Sequence, residues 1–186
     1  MTKDEWLEWV TDWNRELIAR FDPSKYDAFV DPAARQAVAS GWLGAPGATE
    51  QQLVALEKRL GVKLPPSYRS FLEASNGFYM PGLIVPRVLP LEEVVWYRDS
   101  NAEAIDAFNE GFTYGGGDPE PFLENPLQVS AVELVGSAVY LLNPNVVDSA
   151  GEWEAGYFGH WVPGVDRYAS FWALMEMERS KGGDDE

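Results

Sequence analysis

Residues 49–77 read TEQQLVALEKRLGVKLPPSYRSFLEASNG. This stretch constrains the fold more than any other, because it holds two full sets of helix start and stop signals. Thr49 followed by Gln52 is a capping-box start, Leu53, Leu56 and Leu60 recur at helical spacing, and Gly61 ends the run. Val62 and Leu64 lead across a brief apolar link to Pro65 and Pro66, whose fixed φ suits a first helical turn. Tyr68, Phe71 and Leu72 line one side of the second helix, which Ser75, Asn76 and Gly77 stop. The expected unit is a helical hairpin with leucine and aromatic faces that another layer must cover.

Upstream, Thr2 and Glu5 form another capping box, and Trp6, Trp9, Val10, Trp13 and Leu17 follow at helical spacing up to Pro23. A stripe with three tryptophans predicts a helix docked on the main domain, since exposed apolar patches of that size are unusual on monomers. Asp31 with Pro32 starts a short helix that Gly41 ends, and Trp42, Leu43, Gly44, Pro46 and Gly47 form the linker into the hairpin.

After Gly77 the pattern changes. Residues 83–89 read as a strand with Pro86 at an edge or bulge, and 90–94 as one helical turn before Val95, Trp96 and Tyr97. A helix over 101–109 would turn Ile105 and Phe108 to one side and Glu103, Asp106 and Glu110 to the other. Strands are expected over 127–135 and 137–142, the second central because Val139, Tyr140, Leu141 and Leu142 leave it no polar face. Asn143, Pro144 and Asn145 read as a turn. In 152–161, alternation places Trp153, Ala155 and Tyr157 on one face and Glu152, Glu154 and Phe158 on the other. Ser170 caps a last helix carrying Phe171, Leu174, Met175 and Glu178. The expected class is α+β: N-terminal helices, a central, mainly antiparallel sheet, and a C-terminal helix packed on it. The expected division is an N-terminal helical extension over 1–44 packed on the main domain, a main domain over 45–181, and a disordered acidic tail over 182–186.

The leucine-spaced helix ending in LG, then LPPSYRSFL and SNG, resembles the signature of the SUKH superfamily, which includes bacterial immunity proteins and fungal cell-wall assembly regulators. YLLNP at 140–144, GEWEAGYFGHW at 151–161 and RYASFWALM at 167–175 follow in the order that family shows. The resemblance spans about Trp42 to Met177 and implies a SUKH-like main domain that works by binding another protein.

Residue types bound the chemistry. There is no cysteine, hence neither a disulfide framework nor a thiolate metal site. No apolar run approaches the roughly 18 residues of a membrane span, and residues 1–20 lack the basic start and apolar centre of a signal peptide, so a cytoplasmic protein is expected. His160 is the single histidine and sits beside Trp161 with no second imidazole to work with. Gly115, Gly116 and Gly117 suggest a phosphate loop, but no Lys-Ser or Lys-Thr pair follows and Asp118 would repel the ligand, so a flexible turn is expected. Calcium-loop spacing is absent. Glu152 and Glu154, two apart on a strand, suit an acid and base of a hydrolase, or two solvent-facing residues flanking a buried Trp153. No catalytic residue, cofactor or metal is assigned.

Charge is the strongest remaining signal. The net charge is −16, and from Asp99 to Asp166 there are 12 acidic residues and no Lys or Arg, a local charge of −12. Such a chain is a poor ligand for phosphate backbones or anionic lipid and is suited to a basic partner; an evenly solvated surface is the alternative reading. Glu103, Asp106, Glu110, Asp118, Glu120, Glu124, Glu152 and Glu154 are the candidate partner-binding residues, with Tyr114 and Phe122 as candidate aromatic anchors. With the resemblance, these imply an immunity protein that blocks the active region of a cognate secreted toxin. For a nuclease toxin with a basic groove, the carboxylates would stand in for phosphates. The alternative is an intracellular regulatory or scaffolding module like the fungal relatives.

Overall fold

The computed structural model describes residues 1–22, 31–114, 118–132, 138–159 and 164–181, with only the backbone described at 112–114. Four helices come first: α1 (Lys3–Arg20), α2 (Pro32–Ser40), α3 (Glu50–Leu60) and α4 (Pro66–Ala74). Their ends follow the sequence signals. The Thr2 and Thr49 hydroxyls accept from the amides of Glu5 and Gln52, whose side chains reach back to the cap amides. Asp31 accepts from the Ala33 amide at 2.8 Å, and Gly41 and Gly61 close α2 and α3 in the left-handed region, with φ 80° and 75°.

Strands β1 (Phe78–Tyr79) and β2 (Arg87–Val88) form a small antiparallel pair. A five-stranded antiparallel sheet follows in the simple order β3 (Val95–Trp96), β4 (Leu127–Gln128), β5 (Val139–Val147), β6 (Trp153–Phe158), β7 (Val165–Tyr168). Helix α5 (Tyr97–Tyr114) and a 3-10 turn (Pro121–Leu123) separate β3 from β4, and α6 (Phe171–Lys181) closes the chain, its first turn capped by the Ser170 hydroxyl, which accepts from Ala173 at 3.2 Å. The α+β class and the order of helices, antiparallel sheet and closing helix are as the sequence predicts.

Alternation along β6 is what gives the sheet two buried faces. Trp153, Ala155 and Tyr157 join the main core, with Leu53, Leu56, Tyr68, Phe71, Leu72, Phe171, Leu174 and the α1 residues Trp6, Val10, Trp13 and Leu17. Phe158 faces the other way, into a smaller core with Tyr97, Ile105, Phe122, Leu123, Val139 and Leu141. Burial there pushes the Tyr97 hydroxyl up to about 12. The tryptophan stripe of α1 is thus covered: Trp6 is fully buried, with ring centroids 5.2 Å from Phe71 and 5.0 Å from Trp172, and Trp13 stacks on Phe78 at 5.6 Å. Asn14 ties the same helix to the linker by accepting from the Leu43 amide at 2.8 Å and donating to the Gly41 carbonyl at 3.1 Å.

Several expected boundaries differ. Of 83–89 only Arg87–Val88 is strand, because Pro86 removes a ladder donor and the segment curls into turns. The expected turn at Asn143, Pro144 and Asn145 is instead the bulged middle of β5, where the register shifts between Asn143 and Val147; the reversal comes at Asp148 and Gly151. An Asn143 side chain that accepts from the Asn145 amide at 3.0 Å supports the bulge, and Pro144 is tolerated there. The helix expected over 101–109 is longer, starting at Tyr97 and bending where Asn101 leaves helical geometry and donates to the Tyr97 carbonyl. The turn at 115–117, the histidine at 160 with Trp161, the outer ends of two expected strands and the tail at 182–186 lie outside the described residues.

The corner between α3 and α4 rests on a buried carboxylate. Glu57, 5% exposed, accepts from Lys63 Nζ at 2.6 Å and the Leu64 amide at 3.2 Å and lies 3.4 Å from Arg69 Nε. Burial acts to raise its pKa, but the Lys63 and Leu64 hydrogen bonds and the Arg69 charge outweigh it, leaving Glu57 below its usual 4.5. A depressed carboxyl stabilises the fold above its unfolded value and loses that contribution as pH falls through the folded value. Glu57→Gln is therefore expected to cost about 1–3 kcal/mol at pH 7. In urea titrations its gap to the parent protein should shrink steadily below pH 4.5.

Candidate functional site

The β5–β6 hairpin and the end of β7 enclose a cleft of about 320 Å³. Val146 and Asp148 stand on one side, Arg167, Tyr168 and Ala169 on the other, with Glu152 and Glu154 between. The tip is held by Asp148, whose Oδ1 accepts from the Ala150 and Glu152 amides at 2.8 and 2.9 Å.

Glu152 and Glu154 leave this tip in different directions. Glu154 follows the alternation onto the α5 face, accepts from Asn143 Nδ2 at 3.1 Å and lies 3.5 Å from Arg167. Glu152 precedes the strand and departs from the expected shared face: its carboxylate accepts from the Ser67 amide at 2.8 Å and the Ser67 hydroxyl at 2.7 Å. The cause is the start of α4, where Pro65 and Pro66 supply no side-chain cap and leave the positive end of the helix to be met from outside.

Arg167 organises the other wall. It stands opposite Gly156, where an added Cβ would come within 2.6 Å of Phe122 and Val165, so the missing side chain is what lets Phe122 close against the sheet. The guanidinium lies 5.5 Å from the Phe122 ring centroid and donates to Glu120 as well as facing Glu154. Glu120 also caps the 3-10 turn by accepting from the Phe122 amide at 3.0 Å, and its own amide donates to Asn109 of α5.

The remaining candidates lie along α5 and after it. Glu103, Asp106 and Glu110 are exposed and share one helix face over about 10 Å, opposite the buried Ile105. Asp106 pairs with Arg98 at 2.8 Å. Asp118 and Glu124 are exposed. Phe122 is 1% exposed and packs inside the smaller core rather than standing out as an anchor; the Tyr114 side chain lies outside the described residues. The structure thus brings Glu120 and Glu154 to one arginine, sends Glu152 to the start of α4, and strings Glu103, Asp106 and Glu110 along one helix. Tyr168, Val146 and Asp148 were not among the sequence candidates, because nothing in their local pattern tells that a bulged hairpin meets the end of β7.

No group of three or more His, Cys, Asp or Glu side chains among the described residues has the arrangement of a metal site. No helix among them is long and apolar enough to cross a membrane. The site carboxylates separate by role. Replacing Glu152 by Ala uncovers the α4 terminus and is expected to cost about 1–2 kcal/mol in urea unfolding, whereas Glu103→Ala should stay within about 0.5 kcal/mol.

Residues 47–127 match the sequence model of the SMI1 / KNR4 family (SUKH-1). This segment runs from just before α3 to the first residue of β4, so it includes the α5 stripe and Glu120 but not the cleft residues of β5, β6 and β7. Comparison with curated proteins and with solved structures returns no match.

Proposed function

The match over residues 47–127 supports membership of the SUKH superfamily, and from that premise we propose that this chain is an immunity protein that binds a cognate toxin and covers its active region. The family supports a protein-interaction role, immunity or regulatory, in general. The choice of an immunity role rests on one observation, the carboxylate-rich α5 side of the molecule. There Glu103, Asp106 and Glu110 stand in a row, Asp118 and Glu124 are exposed nearby in sequence, and the only two arginines flanking the acidic block, Arg98 and Arg167, pair with Asp106, Glu120 and Glu154. These pairs offset two charges of a block that carries −12.

A surface of this kind attracts a basic partner over a Debye length and speeds the encounter more than it tightens the final complex. A toxin that cleaves nucleic acid presents a positive groove, and a row of carboxylates along one helix face offers it acceptors in place of phosphates. Occlusion then needs no chemistry from this chain.

Co-expression tests the reading. The chain is expected to rescue growth of cells that produce the toxin domain encoded beside its gene, and to form a complex with that domain in which association slows as salt rises. Glu103→Lys with Glu110→Lys should reduce the association rate by about 10-fold or more at low salt while changing dissociation little. Failure of rescue with every neighbouring toxin domain, together with capture of a regulatory protein of the same cell, would replace this reading with that of a regulatory module.

A further inference from the structure

The five-stranded sheet ends at β7, and no described residue pairs with the outer side of that strand. Sheet edges left open recruit a further strand, and proteins that do not use them usually cover or shorten them. At the opposite edge, β3 is only two residues long and runs directly into α5. β7 is twice that length, its middle residues Asp166 and Arg167 are exposed, and it runs at Tyr168 and Ala169 straight into the wall of the 320 Å³ cleft.

We propose that β7 and this cleft form one docking surface for an extended, lysine- or arginine-bearing segment of the partner protein, which adds to the sheet as a sixth strand and places one basic side chain in the cleft. This rests on the interaction reading above and specifies its geometry. The geometry matches in two ways. Side chains on one face of an added strand repeat every 6–7 Å or so, so a segment paired along β7 drops a side chain at the cleft where the strand ends. The cleft itself is amphipathic. Val146, 49% exposed, and Tyr168 offer apolar contact for an aliphatic stem, while Asp148, Glu152 and Glu154 line the cleft and, though each is already hydrogen-bonded within the chain, give it a negative potential for the charged head. Arg167 does not reverse that sign, because Glu120 and Glu154 both meet it.

Charge also selects the occupant. A second copy of this chain would bring another molecule of net charge −16, so the encounter of two copies at this edge is opposed. A basic strand is drawn by the same net charge, and the one cation on β7, Arg167, is already met by Glu120 and Glu154.

The probe is a fluorescein-labelled octapeptide of alternating lysine and valine, titrated into the full chain in 150 mM salt and followed by anisotropy. Three comparisons accompany it: the same peptide N-methylated on every second amide, which blocks hydrogen bonding along one side; a glutamate and valine counterpart; and the variants Val146→Lys and Glu103→Lys with Glu110→Lys. Val146→Lys alters an exposed position, so its fold is expected to persist, and amide exchange of residues 165–168 gives a second measurement on the unaltered chain. The expected result is saturable binding that N-methylation and Val146→Lys each weaken 10-fold or more, a change under 3-fold in the α5 variant, and slowed exchange in β7. Binding that is insensitive to N-methylation, that is lost only in the α5 variant, or that is absent altogether overturns the proposal. Should the native partner bind Val146→Lys as tightly as the parent chain, the edge site is wrong while the interaction reading stands. Conversely, peptide binding at β7 without rescue from any toxin removes the immunity reading alone.

Discussion

Ser67 stands where three distant parts of the chain meet: its carbonyl accepts the Trp6 indole N–H at 2.9 Å, while its amide and hydroxyl donate to Glu152 at 2.8 and 2.7 Å. All of these groups are buried or partly so, and each unmade bond would leave a polar atom without water, at a cost of about 1–3 kcal/mol. The N-terminal helix, the start of α4 and the tip of the β5–β6 hairpin are therefore tied to one another through a single residue. Around it, Trp6, Phe71 and Phe171 meet at centroid distances of 5.2 to 5.8 Å, so the hydrogen bonds are shielded by packed aromatic rings.

That junction explains why the tryptophan stripe of α1 belongs to the main core. Arg179 of α6 completes the arrangement, stacking over Trp9 at 5.2 Å and pairing with Glu16 at 2.5 Å. The guanidinium hydrogen bonds hold Glu16 below the usual carboxylate range. First and last helices thus touch each other as well as α4, and α5 packs on the far side of the sheet. Positive groups are concentrated at the helical corners, where Arg69 meets Glu50, Glu57 and Glu73. Ion pairs knit the helical layer, while Glu103, Asp106 and Glu110 stand in a row on α5.

Much of this was legible in the residues because it depends on short-range rules. Thr49 with Gln52, Thr2 with Glu5 and Asp31 with Pro32 set helix starts through local hydrogen bonds, and the leucine and tryptophan spacings chose the buried faces directly. β7 and β1 were missed because strands of two to four residues with one exposed side carry almost no periodic signal. The turn expected at Pro144 was misplaced because a bulge uses the same residue types as a turn. Among the candidate site residues, sequence found the carboxylates but not their employment. Glu152 serves a helix terminus 85 residues away, and Glu120 meets an arginine 47 residues away, contacts that only the closed fold creates.

The divergence of Glu152 and Glu154 bears on how the cleft can act. Two carboxylates from one hairpin tip anchor it to opposite layers, one to the α4 terminus on the helical side and the other to Arg167 on the α5 side. Asp148 locks the turn between them through two backbone amides. A surface tied down in this way loses little conformational freedom when it is covered, so more of the interaction energy is kept for affinity. The exposed Val146 and Val147, at 49% and 51%, then stand on this hairpin near the end of β7, whose outer side no described residue pairs. In the docking proposed for β7, a partner strand would meet these apolar side chains with hydrogen-bonded carboxylates behind them.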